Sequence, residues 1–274
     1  MKSELTQRKG ARRISEIPPD ILDALNAGEI ESVNLVEWLA IDQRILLQAV
    51  LPPLGLREAV QPSLNAIARL DKNSQMQVIP AVAEVLLAAI QSKKNGQAAF
   101  EKLSTHSSDV VRSWAAYVVG LDRELKLEQK LNGIRLFAAD PNSGLREIAW
   151  MAVRPDIERE LGKAVKLLAK WTKDKDEYIR RFASEATRPR GVWCKHIEVL
   201  KINPELALPI LEPLYSDPSR YVQNSVANWL NDASKSRPDW VKEICAQWTR
   251  RSKSKETAYI VNRALRTLKK GFSS

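Results

Sequence analysis

Apolar positions recur along the chain with the period of an α-helix, and one short pattern returns five times. Its apolar anchors are Val111, Leu145, Ile179, Val222 and Ile260, separated by 34, 34, 43 and 38 residues. This period is typical of stacked helical hairpins. In the first three copies an alanine follows the anchor by four residues, so both side chains lie on one face of a helix. The pattern predicts an all-α solenoid.

Polar turns separate the predicted helices. Asp140-Pro141-Asn142 and Asp217-Pro218-Ser219 each stand between two apolar-periodic segments. Proline is tolerated in the first turn of a helix, because its missing N–H would have no intrahelical partner there. Such hairpins resemble HEAT repeats, in which the first helix of each pair lies outside and the second lines a concave surface.

The region before the repeats fits two or three more helix pairs, for example from Leu35 to Leu51 and from Met76 to Ser92. We expect a disordered basic arm over residues 1–15 and one solenoid domain over residues 16–274. No apolar run approaches the roughly 18–20 residues of a membrane span, and no secretory signal is recognisable. We therefore expect a cytoplasmic protein without a membrane partner.

The net charge of +10 is concentrated in the second part of the chain. Residues 1–112 carry 13 basic and 13 acidic side chains, whereas residues 113–274 carry 30 basic and 20 acidic ones. Seven of the eight tryptophans also lie at position 114 or later. Clustered positive charge with aromatic residues is typical of a nucleic-acid surface. A solvated basic face above core tryptophans accounts for the same counts, so both interpretations stay open.

Few residues of the chain are suited to metal binding. Cys194, Cys245, His106 and His196 have no metal-ligand spacing, and cysteines of a chain without a signal are expected to be reduced. We expect no metal and no cofactor. The polar end of the repeat array at Lys269 and its neighbour offers no self-complementary patch, so we expect a monomer without an obligate protein partner.

Three acids fall on one stripe of the second helices. Counted from each anchor, positions +2, +6 and +10 share a helix face, and there lie Glu147, Glu185 and Asp232. Each acid lies one turn further along its helix than the previous one. A small rotation between successive repeats would bring the three carboxylates close together. The basic residues expected to grip phosphates around this cluster are Arg181, Arg188, Arg190, Lys195, Arg263 and Arg266.

Each acid also has a structural interpretation. Glu147 could pair with a nearby arginine, Glu185 with Arg181 four residues earlier, and Asp232 could cap a following helix. For any single acid the structural interpretation is the simpler one. The occurrence of all three on one stripe beside basic residues favours a functional cluster.

Several aromatic residues accompany the stripe. Trp193 follows a proline and a glycine at a loop-to-helix junction, where it either fills the core or stacks on a base, a contact worth about 1–3 kcal/mol. Trp114 and Tyr117 lie beside or on the stripe and are further candidates for contact with the nucleotide. Trp150 and Trp229 point away from the stripe, so we expect them in the core.

Two strings carry a family resemblance. The first is Ser184-Glu185-Ala186-Thr187-Arg188-Pro189 followed by Trp193, and the second runs from Tyr221 to Lys235 and includes Ser225-Val226-Ala227-Asn228 and Asn231-Asp232. They resemble the HEAT-like-repeat DNA alkylation-repair glycosylases, and the AlkC branch more than the AlkD branch. Some members of that branch carry a C-terminal immunoglobulin-like domain, which we do not expect here because the sequence stops after the last repeat.

The resemblance implies a monofunctional glycosylase of base excision repair. Such an enzyme removes cationic N-alkylated bases, of the 3-methyladenine and 3-methylcytosine type, from double-stranded DNA by hydrolysis of the N-glycosidic bond. The resemblance also implies a concave DNA-binding groove and no metal or cofactor. The motifs carry the family's active-site positions onto Glu185, Trp193 and Asp232, and a shorter string carries a further one onto Glu147.

The chemistry of alkylated bases fits these residues. A base alkylated at a ring nitrogen is cationic and leaves readily, so the enzyme must stabilise a sugar with oxocarbenium character and position a water, as carboxylates do in glycoside hydrolysis. We expect Asp232 to act on the water and the sugar, Glu185 and Glu147 to bind the cationic base, and Trp193 to contact the nucleotide through its ring face.

Two other functions remain compatible with the sequence. One is a non-catalytic HEAT-repeat protein that recognises damaged or bent DNA, which would use the arginines but would not need the acids. The other is a protein-interaction scaffold, a common use of such solenoids. A scaffold would not need basic charge concentrated on its concave side.

Overall fold

The computed structural model describes residues 8–270, and the described residues form helices without any strand. This confirms the all-α prediction. Contacts within the chain separate into two compact units, the first comprising residues up to Lys126 with Asn132–Val153, and the second comprising Leu127–Leu131 and the residues from Arg154 onward. Where the sequence predicted one domain over residues 16–274, we therefore describe two units, each by itself.

The helices of the first unit are α1 (Pro19–Asn26), α2 (Leu35–Ala40), α3 (Gln43–Val50), α4 (Val60–Ala68), α5 (Gln75–Ser92), α6 (Gly96–Ser104) and α7 (Asp109–Leu121). Two helices contribute residues to both units, α8 (Leu127–Ala138) and α9 (Ser143–Arg159). The helices of the second unit are α10 (Leu161–Trp171), α11 (Glu177–Glu185), α12 (Glu198–Ile202), α13 (Leu208–Leu211), α14 (Arg220–Ser234), α15 (Pro238–Arg251), α16 (Lys255–Ala264) and α17 (Arg266–Lys270). Short 3-10 helices occupy Ile14–Glu16, Arg57–Ala59, Pro204–Ala207 and Glu212–Leu214.

The repeat anchors lie in the core. All five apolar anchors, at positions 111, 145, 179, 222 and 260, are buried, as the repeat predicted. In the second unit the three second helices pack side by side, α11 against α14 and α14 against α16, while α15 packs against both α14 and α16. The row α11–α14–α16 is the platform on which the candidate site is built.

Side-chain caps start several of these helices. Asp176 accepts a hydrogen bond from the N–H of Tyr178 at the start of α11, and the Ser219 hydroxyl accepts from the first turn of α14. A side-chain oxygen at this position satisfies an N–H that has no partner within the helix. α15 begins directly with Pro238, as the role of proline in first turns predicts.

In the first four repeats a polar residue directly after the anchor ties the helix to its turn. Arg180 donates to the carbonyl of Asp174 in the turn before its own helix, and its Nε and Nη2 bind the carboxylate of Asp217, in the next turn, at 2.7 and 3.0 Å. Gln223, one repeat later, donates to the carbonyl of Asp217 at 2.7 Å. In the first unit Arg112 pairs with Asp140 at 3.1 Å in the same way. The bidentate pair of Arg180 with Asp217 and the ion pair of Arg112 with Asp140 fix successive hairpins against each other.

Residues 8–15, which the sequence predicted as part of a disordered arm, are packed against the first unit. Residues 1–7 lie outside the described residues, but Arg8 forms an ion pair with the buried Glu37 at 2.6 Å, and Asn34 donates to the carbonyl of Ala11 at 2.9 Å. Residues 8–15 therefore belong to the first packed unit, because a buried carboxylate and a helix-capping amide hold them there.

One helix corrects the expectation about apolar runs. α5 is long and apolar enough to cross a membrane by length and composition. It also packs against α4, α6 and α7 within the first unit, as a core helix of a folded domain does. Length and composition are therefore weak evidence for a membrane span here.

Candidate active site

Two acids of the predicted stripe meet on the platform of the second unit. Glu185 is the last residue of α11, and Asp232 lies in the last turn of α14, which packs beside α11. Both are almost fully buried, at 3% and 4% exposure. The residue that joins them is Arg188, in the turn directly after α11.

Arg188 bridges the two carboxylates. Its Nη1 donates to Oε1 of Glu185 at 2.7 Å, while Nε and Nη2 both donate to Oδ2 of Asp232, at 2.9 and 2.8 Å. Burial alone would lower the pKa of the Arg188 guanidinium, but Glu185 and Asp232 outweigh it and raise the pKa. Every nitrogen of the guanidinium is thus engaged by a carboxylate. Three of its five N–H donors bind these carboxylates, and two negative charges balance the guanidinium, so the phosphate contact of Arg188 stays a prediction.

Glu185 has partners at both oxygens. Oε2 accepts from the Ser225 hydroxyl at 2.6 Å and lies 3.5 Å from Nη2 of Arg181, so the predicted pairing four residues back is confirmed. Burial would raise the pKa of Glu185, but Arg181, Arg188 and the Ser225 hydrogen bond together lower it. Glu185 is therefore placed to hold Arg188. Both oxygens have partners within the protein, and the contact of Glu185 with a cationic base stays a prediction.

Asp232 keeps one oxygen outside the ion pair. Oδ2 takes both hydrogen bonds from Arg188, whereas Oδ1 accepts none from the described residues and has the Lys235 ammonium 3.6 Å away. Oδ1 thus has no hydrogen-bond donor among the described residues, yet it is not one of their buried unpaired atoms. Solvent therefore reaches it. Asp232 lies within α14 and caps no following helix, which excludes the structural interpretation given to it above.

A buried arginine from α9 fixes the loop after Arg188. Arg154, only 3% exposed, donates to the carbonyls of Ala186 at 2.8 Å, Arg188 at 2.6 Å and Lys195 at 3.1 Å. Burial is the main cause that lowers the pKa of Arg154. Sequence reasoning missed this residue, since one of three arginines on a helix with several charged residues gives no sign that loop carbonyls surround it. The clamp holds the segment that carries Trp193.

Trp193 projects from this clamped loop into solvent. Its side chain is 60% exposed, and its backbone φ is +59°, in the left-handed region that costs a non-glycine residue about 1–3 kcal/mol. The preceding Gly191 packs so closely that an added Cβ would overlap Sγ of Cys194 and crowd the Arg154 guanidinium. A large ring held outward in a strained backbone is not a core plug. Of the two interpretations of Trp193, the structure supports the exposed face.

The other predicted basic residues of the second unit have mixed environments. Arg181 lies over the ring of Tyr221 at 4.4 Å, and Arg266 donates to Asn228 at 3.0 Å. The remaining three are Arg190, which donates to Ser236 at 2.9 Å, Lys195, which is exposed and 3.5 Å from Glu158, and Arg263, which lies 5.5 Å from the ring centre of Tyr259. All of them are half-buried or exposed, as phosphate contacts require.

The candidates in the first unit differ in their surroundings. Glu147 is half-buried and accepts a hydrogen bond from the Trp150 indole at 2.9 Å, and its convergence with the other two acids stays a prediction. Trp114 is fully buried and donates to Gln43 at 2.6 Å, so the prediction that it contacts a nucleotide is wrong: it is a core residue. Tyr117 is half-buried. Trp150, like Trp229 of the second unit, is buried as predicted.

Ionisable side chains of the described residues form no metal centre. Residues 8–270 contain no group of three or more His, Cys, Asp or Glu side chains that could hold a metal ion. Cys194 and Cys245 are both free thiols, and burial raises the pKa of Cys245 to about 12. What the site offers chemically is a carboxylate oxygen at solvent, held by a buried arginine, close in sequence to an exposed indole.

Comparisons with known proteins point to one family. Residues 147–268 match the family described as DNA alkylation repair enzyme. YhaZ, an uncharacterized protein of Bacillus subtilis strain 168, is 45% identical over 121 residues, which cover 44% of this chain and 33% of YhaZ. The chain thus spans about a third of the curated relative that it matches.

Three solved structures have a similar fold. The alkylpurine DNA glycosylase AlkC of Pseudomonas fluorescens, bound to DNA containing an abasic site analog, matches with a TM-score of 0.69 and 25% identity, over 94% of this chain and 65% of AlkC. AlkD2 of Streptococcus mutans matches with a TM-score of 0.55 and 23% identity, over 76% of this chain and 96% of AlkD2. The smu.31 protein of Streptococcus mutans UA159 matches with a TM-score of 0.52 and 24% identity, over 81% of this chain and 98% of smu.31. The latter two show the fold alone.

The family match over residues 147–268 agrees with the structural likeness to AlkC, which extends over 94% of this chain. The two strings around Glu185 and Asp232, on which the sequence resemblance rested, lie inside the matched residues. Over residues 147–268 the chain is similar in sequence to the DNA alkylation repair enzymes, and its fold is similar to that of AlkC.

Proposed function

We propose that this protein is a DNA glycosylase that hydrolyses the N-glycosidic bond of cationic N-alkylated bases in double-stranded DNA, acting as a monomer in base excision repair. Bases of the 3-methyladenine and 3-methylcytosine type are its substrates. One observation carries the proposal: Asp232 is almost buried, yet presents Oδ1 to solvent while Arg188 binds Oδ2.

Asp232 is the catalytic carboxylate of the proposal. As the bond between C1′ and the base breaks, its electron pair passes to the alkylated ring and neutralises the positive charge of the base. The sugar left behind has oxocarbenium character, which a nearby carboxylate stabilises, and a water at Oδ1 attacks C1′. The proton of that water is released to solvent, and the products are the free base and an abasic site.

The bridge through Arg188 prepares Asp232 for this task. Two N–H groups fix Oδ2, so the carboxylate needs no reorientation when charge develops on the sugar. Glu185 in turn orients Arg188 through Nη1 at 2.7 Å. Glu185 and Arg188 are therefore positioning residues in this proposal, and Trp193 contacts the nucleotide.

Selectivity for damaged bases follows from charge. A carboxylate attracts a cationic base and gives no help to a neutral one, which is also a poor leaving group. Trp193 contributes a ring face to the nucleotide. The residues proposed to bind backbone phosphates are Arg181, Arg190, Lys195, Arg263 and Arg266.

The non-catalytic alternative also has an observation in its favour. The same ion pairs that prepare Asp232 satisfy most of the hydrogen-bonding capacity of both acids, as they would in a structural salt bridge. In that case the protein binds damaged or bent DNA through its basic residues and releases no base.

Base release separates the two functions. The purified protein is incubated with methylated duplex DNA, and released 3-methyladenine, 3-methylcytosine and 7-methylguanine are measured by chromatography. The proposal expects release of the first two above the spontaneous rate. Binding of the same duplex without release of any base above that rate would establish the non-catalytic function instead.

A further inference from the structure

Three tyrosines occupy one repeated position in the second unit. Tyr178, Tyr221 and Tyr259 each directly precede an apolar anchor, on α11, α14 and α16 in turn. All three are half-buried. Because these helices pack in a row, the rings recur along one edge of the platform, and Tyr178 contacts Tyr221 edge to face at 5.7 Å.

Arginines reach from one helix onto the ring of the next. The guanidinium carbon of Arg181 on α11 lies 4.4 Å from the ring centre of Tyr221 on α14. One repeat later, Arg220 on α14 lies 3.5 Å from the ring centre of Tyr259 on α16. A guanidinium above an aromatic face is attracted by the negative charge density of the ring. The two contacts are therefore cation–π interactions of the same kind.

The second contact differs from the first in its charge balance. Arg181 has the Glu185 carboxylate 3.5 Å away. Arg220 has neither a hydrogen bond nor an ion pair with any residue of the described chain, and its side chain is exposed. A second guanidinium, that of Arg263, lies 5.5 Å from the same Tyr259 ring. Two positive charges thus flank one ring, and neither forms an ion pair with a carboxylate of residues 8–270.

A buried donor without a partner and a third arginine add to this excess of positive charge. Nε of Arg263 is buried and finds no hydrogen-bond partner among the described residues. A third positive charge, Arg266, donates to the carbonyl of Arg263 at 2.8 Å and to Asn228 at 3.0 Å. Burial and then the charge of Arg263 lower the pKa of Arg266. A buried N–H without a partner is rare in native proteins and calls for a ligand or a water.

We infer that Tyr259, Arg220 and Arg263, with Arg266 beside them, form a site for one backbone phosphate of bound DNA. This cluster is called the Tyr259 site below. Stacking uses the face of a guanidinium and leaves its in-plane N–H donors for a phosphate oxygen. One phosphate would balance the like charges and satisfy Nε of Arg263. The inference rests on the proposed function only in taking DNA as the ligand.

The position of the Tyr259 site fits a contact outside the reaction centre. Arg220 and Asp232 stand at opposite ends of α14, about 18 Å apart at 1.5 Å per residue. Consecutive base pairs are about 3.4 Å apart along B-DNA, so the bound phosphate belongs to a nucleotide several steps from the one at Asp232. The Tyr259 site therefore contributes affinity for DNA of any sequence, damaged or not.

The test is the salt dependence of binding to an undamaged duplex, which requires no catalysis. A plot of the logarithm of the binding constant against that of the salt concentration has a slope of about −0.9 per phosphate contact. Arg220→Gln is expected to make this slope shallower by about 0.9. Arg250→Gln removes the same charge from an exposed position of α15, which carries no member of the site, and is expected to leave the slope unchanged.

Two substitutions of Tyr259 separate the ring from its hydroxyl. Tyr259→Leu removes no charge, yet is expected to make the slope shallower, because the arginines lose the surface that orients them. Tyr259→Phe loses only the 2.8 Å hydrogen bond to Asn224 and is expected to keep the wild-type slope. Thermal melting checks that the variants fold, and Arg220→Gln carries the test if Tyr259→Leu does not.

The outcomes are distinct. An unchanged slope for Arg220→Gln, or the same change for Arg250→Gln, overturns the inference. A free-phosphate site would give another pattern. The DNA slope of Arg220→Gln would then be unchanged, while inorganic phosphate at constant ionic strength would raise the melting temperature of wild type but not of Arg220→Gln. That result would overturn the DNA assignment. The predicted slopes in a protein that releases no alkylated base would uphold the Tyr259 site while the proposed glycosylase activity fails.

Discussion

Arg188 donates two hydrogen bonds to a single oxygen of Asp232, from Nε at 2.9 Å and from Nη2 at 2.8 Å. A fork that closes on one oxygen leaves the other oxygen of the carboxylate for a different partner. The third guanidinium nitrogen donates to Glu185, so all three nitrogens of Arg188, and three of its five N–H donors, are engaged within the acid site. The arginine in the middle of the motif is thus part of the acid site.

Removal of Arg188 is expected to cost stability as well as activity. Arg188→Gln leaves two buried carboxylates without their shared partner, and breaking such a pair costs about 3–5 kcal/mol. Arg188→Lys keeps the charge but cannot reproduce the forked hydrogen bonds. Its unfolding free energy is therefore expected to lie between those of wild type and Arg188→Gln. Urea unfolding measures the difference, with Arg250→Gln as the exposed control. Equal unfolding free energies for wild type and Arg188→Gln would contradict the bridge.

Acid is expected to weaken the fold through Glu185. Its pKa in the folded protein is below the usual 4.5, because Arg181, Arg188 and Ser225 outweigh the effect of burial. A lowered pKa adds stability that is present above about pH 4.5 and is lost as the pH falls through the folded value. The difference in unfolding free energy between wild type and Glu185→Gln should therefore shrink below about pH 4.5. A difference independent of pH from about 7 down to 3 would contradict the assignment.

Trp193 is expected to serve binding at the expense of stability. Trp193→Gly relieves the positive φ and should raise the unfolding free energy by about 1 kcal/mol or more. The same change removes a stacking face worth about 1–3 kcal/mol, so affinity for alkylated duplex DNA should fall about 5- to 150-fold. Chemical denaturation and fluorescence anisotropy measure the two effects. A destabilised variant with unchanged affinity would assign Trp193 to packing instead.

Gly191 tests the close packing of the loop. Gly191→Ala places a Cβ where Sγ of Cys194 lies, so the loop that carries Trp193 must move. We expect weaker binding of alkylated DNA with little loss of global stability, because the loop is a surface segment. Cys194→Ala alone is expected to bind normally, and the double substitution should recover most of the affinity. No recovery in the double variant would show that the crowding of Arg154 is decisive.

The sequence predicted the platform and two members of the site. Buried anchors at a regular period set which helices pack side by side, and position counting then placed Glu185 and Asp232 on one face. It could not predict the role of Arg188, because that residue follows the end of α11, where helical counting no longer applies. Trp114 was misassigned for a related reason: the helical wheel gives a direction but not the Gln43 side chain that receives the indole N–H.

Three further features could not be predicted, two because they depend on contacts distant in sequence and one because of an unusual backbone conformation. Arg154 lies more than 30 residues before the carbonyls that it binds, and no local pattern links them. The outward direction of Trp193 depends on a left-handed backbone that is normally reserved for glycine. Ser225 was visible within its motif, but only the structure connects its hydroxyl to Glu185.

The most direct measurement is the single-turnover rate of 3-methyladenine release from duplex DNA by the Asp232→Asn variant. Asp239→Asn, which makes the same change at an exposed residue of α15, is the matched control. Loss of a carboxylate that stabilises the developing sugar cation should lower the rate at least about 100-fold, while affinity for the DNA and the rate of the control stay close to wild type. Release by Asp232→Asn at the wild-type rate would contradict the catalytic assignment of Asp232.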